Sequence, residues 1–90
     1  MAHQDQTELL KDLENLYQKV KLGDKYFHYK HPDQFYNIVA LGFIEETEIP
    51  CVIYQFEYCD RITLVRPQND FFAKVTLENG SVVDRFTKVS

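Results

Sequence analysis

No stretch of the chain approaches the roughly 18 consecutive apolar residues that a membrane-spanning helix needs, and the N-terminus has no basic-then-apolar segment of the secretory kind. The expected compartment is therefore the cytoplasm, with no membrane partner. Glycine is scarce, three in 90 residues, so no glycine loop is available to cradle a phosphate, and neither GxSxG nor HExxH occurs. Only two cysteines are present, Cys51 and Cys59, at a spacing that suits neither a CxxC redox pair nor a four-ligand zinc set. Both are expected to be free thiols. Cys51 opens the apolar run Cys51-Val52-Ile53-Tyr54 and reads as a small core residue, whereas Cys59 lies in a more polar stretch. His3, His28 and His31 have no carboxylate at recognised ligand spacing, so no metal and no cofactor is expected. An excess of positive charge is also missing: 10 Lys plus Arg against 14 Asp plus Glu leave a formal charge of -4. That balance argues against a nonspecific nucleic-acid binder, which needs a net basic face, but leaves room for a local basic patch.

What is present is enough for one domain. Hydrophobic residues make up 44% of the chain and charged residues 27%, an ordinary composition for a sequence that buries a core. From Thr7 to Leu22 the apolar residues Leu9, Leu13, Leu16 and Val20, with Leu10 and Tyr17 beside them, follow the three-four spacing of one helical face. Asp5 or Thr7 can cap this helix, and Gly23 is a plausible left-handed stop, so it is expected to end near Leu22. The stripe packs on the rest of the domain or, alternatively, forms a dimer seam.

After Lys25 the pattern changes to short aromatic and β-branched runs separated by turn residues. Strands are expected near 25–30, 35–43, 51–57, 63–67, 72–77 and 82–88. His31-Pro32-Asp33 reads as a turn, Glu45 to Pro50 as an acidic connection, and Asn79-Gly80 as the type I′ turn of a tight hairpin. Five or six short antiparallel strands hide their edges most simply by curling into a small barrel. The expected division is a helical extension over 1–24 and a β-barrel over 25–90.

Nine of the 13 aromatic residues lie between Tyr26 and Tyr58, more than one small core needs, so some are expected at the surface. In the first strand a period of two puts Tyr26, His28 and Lys30 on one face, a surface able to take an extended peptide, a base or an anion. Arg66-Pro67 ends the fourth strand, where proline fixes the exit of the chain. Arg66 either offers a bidentate contact to a ligand carboxylate or phosphate, or pairs with Glu46 or Glu57 inside the fold. Arg85 poses the same question with less support.

These residues stand in a familiar order: Tyr26-Phe27-His28-Tyr29-Lys30, Phe35-Tyr36, Glu46-Thr47, Val52-Ile53-Tyr54, Val65-Arg66-Pro67, Phe71, Gly80 and Arg85-Phe86. The chain resembles the small bacterial family known as domain of unknown function 1653, without a gap from Tyr36 to Gln55 and over about Lys25 to Val89 as a whole. The resemblance implies an SH3-like β-barrel and brings no established activity. Three positions depart from the family pattern. Ile44 stands where a histidine commonly precedes the Glu-Thr pair, Leu64 replaces a tryptophan before Val65-Arg66-Pro67, and Asp70 replaces a methionine before Phe71. If the family uses a histidine at the first of these for catalysis, this protein lacks it.

The combined expectation is a mainly β protein, a small SH3-like barrel with an N-terminal helix. It is expected to act as a noncatalytic recognition module through Tyr26, His28, Lys30, Glu46, Tyr54 and Arg66. Tyr26 and Tyr54 would stack, Lys30 and Arg66 would take negative charge, and Glu46 would position Arg66 or accept from the ligand. The partner is a protein or small ligand, with nucleic acid less favoured and the chain a monomer or weak homodimer. Two alternatives remain, a small enzyme with His28 as general base and a dimeric scaffold assembled through the helix.

Overall fold

The computed structural model describes residues 5–58 and 60–89, so the expectation for Cys59 falls outside the described residues. Its first element is a helix, α1 (Gln6–Lys19). Asp5 opens it from an extended backbone, its carboxylate accepting from the Glu8 N–H at 2.9 Å, which satisfies one of the amides that a helix start leaves without an internal partner. The helix ends at Lys19, not near Leu22, because Val20 turns extended at φ -145° and delivers its side chain to the core. Gly23 does adopt the left-handed conformation, φ +87°, but in the following turn, where its N–H donates to the Ile38 carbonyl at 2.8 Å. Leu16 is fully buried and Leu9 and Leu13 half-buried, so this stripe packs on the domain and leaves Leu10 and Tyr17 outside.

The chain then forms β1 (Lys25–His28), β2 (His31–Ile44), β3 (Ile49–Phe56) and β4 (Thr63–Pro67), followed by a one-turn helix, α2 (Gln68–Phe71). Three short strands complete it: β5 (Lys74–Thr76), β6 (Val82–Asp84) and β7 (Phe86–Val89). The protein is mainly β with an N-terminal helix, as expected, with seven antiparallel strands among the described residues where five or six were anticipated. Five strands make one sheet in the order β4-β3-β2-β1-β7, and β5 pairs with β6 separately. Among the described residues β4 and β7 end the larger sheet without pairing to each other, so it does not close into one continuous ladder.

Local chemistry explains where the strands depart from expectation. The first turn is Tyr29-Lys30, not His31-Pro32-Asp33, because His31 already pairs with His28 and the Lys30 N–H donates to His28 Nδ1 at 3.2 Å. Pro32 falls in the register shift between the His28 and Phe27 pairs, where a missing ladder donor costs least. After Pro67 the chain makes α2, which drives Phe71 into the core and delays the strand expected from 72 until Lys74. The last expected strand breaks at Arg85, so β6 stays with β5 while β7 crosses to β1. The Arg85 N–H donates to the Ala73 carbonyl and its own carbonyl accepts from the Tyr29 N–H, both at 3.0 Å, which pins the corner where the chain changes sheets. The Asn79-Gly80 hairpin forms, but only Gly80 is left-handed, φ +88°, so its turn is not type I′. Leu77 accepts from the Gly80 N–H at 2.9 Å and donates to Ser81 at 2.8 Å, the pattern of a three-residue loop with a glycine bulge.

Leu16 and Val20 of the helix segment join Tyr26, Tyr36, Ile38, Val52, Tyr54, Phe71 and Phe86 in a single core cluster. Cys51 is buried as expected, its thiol donating to the Ile49 carbonyl at 3.4 Å while burial pushes its pKa up. No helix among the described residues is long and apolar enough to cross a membrane. Leu16→Ala, measured by urea unfolding with midpoint and slope both recorded, should cost about 3 kcal/mol because it empties a fully enclosed site. A loss under about 0.5 kcal/mol would mean that α1 is not part of the cooperative unit.

Candidate functional site

Phe86 opens β7 directly opposite His28 of β1. Its ring stacks parallel on Phe71, centroids 4.4 Å apart and planes 5° from coplanar, and meets the edges of His28, Tyr54 and Tyr36 at 5.1, 5.4 and 5.8 Å. Arg66 reaches the same ring from β4, its guanidinium carbon 5.5 Å from the centroid, and its Nε donates to the Tyr54 hydroxyl at 3.3 Å. Strand register explains this position. Arg66 pairs across from Val52 and Leu64 from Tyr54, so the period of two sends both inward, while Val65 between them faces out, 59% exposed.

The electrostatics of this cluster are unusual for an acidic protein. Burial, then the charges of Arg66, Lys30, Arg85 and His31, lower the pKa of His28 below its ordinary 6.5. Its Nδ1 accepts the Lys30 N–H, so the neutral ring carries its proton on Nε2 and presents a donor there. A general base would need that nitrogen unprotonated. Arg85 has its Nε buried without a hydrogen-bond partner. Burial and then the neighbouring Tyr58 hydroxyl raise the pKa of Tyr36, with Arg66 pulling the other way. Tyr36 meets Tyr54 at 5.4 Å and Tyr58 at 6.2 Å, and of the three Tyr54 is the one that Arg66 touches.

Among the described residues no carboxylate pairs with Arg66 or Arg85. The expected internal pairing of Arg66 with Glu46 or Glu57 is not made. Glu57 lies 3.2 Å from Lys25 instead, in an ion pair not aligned as a hydrogen bond, and Glu46 is exposed in the turn between β2 and β3, beyond the Ile44–Ile49 pair. Arg66 is held by an aromatic face and a phenol.

Of the six residues singled out from sequence, the fold gathers His28, Tyr54 and Arg66 around Phe86, with Lys30 exposed at the margin, 5.9 Å from the Tyr29 ring. Tyr26 is a core ring, 5% exposed and edge-on to Phe71 at 5.2 Å, so stacking on a ligand is closed to it. Glu46 stands apart. The aromatic residues from Tyr26 to Tyr58 are buried or half-buried, and none of them is exposed as their number suggested. Phe86, Tyr36 and Tyr58 complete the cluster, and of these Tyr36 and Phe86 had drawn notice in the sequence only through the family pattern. A groove of about 420 Å³ lined by Gly23, Asp24, Lys25, Lys88 and Val89 contains none of these residues. Among the described residues no three His, Cys, Asp or Glu side chains gather closely enough to hold a metal ion.

The sequence profile of the family described as protein of unknown function (DUF1653) matches residues 24–88. The chain belongs to the DUF1653 family. A DUF1653 protein from Bordetella bronchiseptica, solved by crystallography, has a similar fold, with a TM-score of 0.65 and 26% identity over 80% of this chain and 90% of that one. No curated protein matches. All of the basic cluster lies within the DUF1653 match, whereas α1 lies outside it.

Two consequences can be measured. The unfolded chain protonates His28 more readily than the folded one, so this group's contribution to stability is present above about pH 6.5 and is lost as pH falls below it. The urea midpoint of wild type should accordingly fall relative to His28→Gln between about pH 7.5 and pH 5, and a constant difference would contradict the shift. Arg66→Ala removes one hydrogen bond and one cation–π contact but orphans no carboxylate, so it should cost about 1 kcal/mol. A loss above about 3 kcal/mol would reveal a buried ion pair.

Proposed function

We propose that this DUF1653 protein is a noncatalytic recognition module that binds an anionic group on the inner face of its sheet. The observation that carries this reading is the Arg66 guanidinium, held against the Phe86 ring and the Tyr54 hydroxyl without a carboxylate partner among the described residues. Collecting like charges lowers the stability of a fold, and arginine without an internal partner presents a rigid fork suited to carboxylate or phosphate. Arg66 spends its Nε on Tyr54, which fixes the plane of the guanidinium and leaves both terminal nitrogens to a ligand.

His28 adds a neutral donor and Lys30 a mobile charge at the rim. The Nε2–H tautomer supports a binding role over a general-base enzyme, and the burial of Leu16 and Val20 supports a packed helix over a dimer seam. The partner is an anionic small molecule or an anionic group on a protein, and the module acts as a monomer in the cytoplasm.

The test is titration of the full chain with benzoate and, separately, phenyl phosphate, followed through backbone amide shifts at low ionic strength. At least one anion should perturb Tyr29, Lys30, Arg66, Arg85 and Phe86, and Arg66→Gln should weaken binding about tenfold or more. Perturbations spread evenly over surface lysines, or unchanged affinity in the variant, would overturn the proposal.

A further inference from the structure

Resting on that anion-binding reading, we infer that the group Arg66 takes is the carboxylate of an aspartate or glutamate in an extended segment of a partner protein, which adds to the sheet along β4. This strand ends the sheet: β3 lies on one side, and among the described residues no strand pairs with it on the other. Its main neighbours are β3 and the adjoining α2.

Strand register shows what this edge presents. The Phe56 N–H donates to the Ile62 carbonyl at 3.1 Å, which continues the β3–β4 ladder by one pair. In an antiparallel ladder, bonded pairs alternate with pairs whose amides point away from each other. Ile62, Leu64 and Arg66 therefore bond to β3, while Thr63 and Val65 turn their N–H and C=O groups to the open edge. Both residues are exposed, Val65 at 59%, and Ile62 beside them is 52% exposed. Backbone groups so placed are a template for another strand, and main-chain bonds of this kind supply affinity while side-chain positions supply specificity.

Selectivity comes from Arg66 and Pro67. Proline has no N–H, so it limits the ladder at that end. Alternation puts Arg66 on the inner face, across from one side chain of an added strand. An apolar strand would take the guanidinium further from water without a countercharge. β4 itself, Thr-Leu-Val-Arg-Pro, has no acidic residue, so a second copy paired along this edge would bring another arginine to the same face and no carboxylate. A strand with a carboxylate across from Arg66 and apolar side chains across from Val65 satisfies both. The opposite end strand, β7, carries Lys88, exposed and paired with Asp24, a charge of the kind that keeps sheet edges from pairing.

The probe is the peptide Thr-Val-Glu-Val-Thr, acetylated and amidated at its ends, titrated into the full chain at low ionic strength and followed through backbone amide shifts. Its sequence reads alike in both directions, so no strand polarity is assumed. The Thr63 and Val65 amides should move most, and the peptide should bind about tenfold or more tightly than benzoate. Replacing its glutamate by glutamine should weaken binding about tenfold, and Arg66→Gln in the protein should erase that difference. Methylating the two valine nitrogens or, separately, the glutamate nitrogen should give affinities at least tenfold apart, since only alternate N–H groups of an added strand face β4. Both peptide series use the wild-type protein and need no variant to fold. Equal effects of the two methylations, or a glutamine peptide that binds as well as the glutamate one, would overturn this inference; benzoate binding that still depends on Arg66 would then leave anion recognition standing. Pairing of the chain with its own copy through β4, seen as concentration-dependent broadening confined to Thr63 and Val65, would overturn it too. No binding of the peptide, benzoate or phenyl phosphate would overturn both readings.

Discussion

The Phe86 ring lies between the core and the basic cluster, and the arrangement of both depends on it. Phe71 stacks on it from α2, while Tyr36 and Tyr54 meet its edge from β2 and β3. Burial of large rings in these edge-to-face and offset contacts is the main stabilising resource of so small a core. The same ring gives Arg66 and His28 a surface to rest on without a countercharge. A guanidinium is weakly hydrated and planar, so an aromatic face offsets part of its desolvation where an ammonium would still demand water or a carboxylate. The cost of leaving it unpaired is thereby lowered.

Charge is segregated along the chain. Glu8, Asp12 and Glu14 sit on α1, and Glu45, Glu46 and Glu48 in the turn between β2 and β3, so much of the excess acid stands apart from the inner face of the sheet. Among the described residues, ion pairs engage Lys25, Lys74 and Lys88, none of which belongs to the Phe86 cluster. A chain with net charge -4 can therefore present a local positive site, because close contacts outweigh distant charges that salt and water screen. The lowered pKa of His28 fits this picture: the imidazole stays neutral among cations, its Nδ1 accepting from the Lys30 N–H.

Much of this was legible in the sequence where the signal is local. The three-four spacing of Leu9, Leu13, Leu16 and Val20 gave the helix and its packed face, and the runs at Cys51 to Tyr54 and Thr63 to Pro67 gave β3 and β4. Alternation could place Tyr26 and His28 on one face, but not say that this face is the core side, because that depends on which strands lie opposite. Tyr26 was thus assigned to a surface that the fold buries. Glu46 was linked to Arg66 by charge alone, and the length of the β2–β3 hairpin carries it past reach. The break at Arg85 was missed because Val82 to Lys88 reads as one strand; it comes from partners at Ala73 and Tyr29, which no local pattern encodes.

The helix poses the final question of design, since the DUF1653 match begins at residue 24 while Leu16 and Val20 are among the six most completely buried large side chains. A surface addition would not occupy such positions. Val20 leaves the helix in extended conformation at the point where the chain must turn toward β1, and Gly23 and Asp24 then bond to Ile38 of β2 from both sides of the turn. These bonds fix how α1 meets the sheet, and the helix packs on β2 and β3, the two strands that carry Tyr36 and Tyr54. Leu16 thereby supports, through the common core cluster, the same rings that position Arg66. In this chain α1 belongs to the physical frame of the basic cluster, although the residues of that cluster all come from the part it shares with its family.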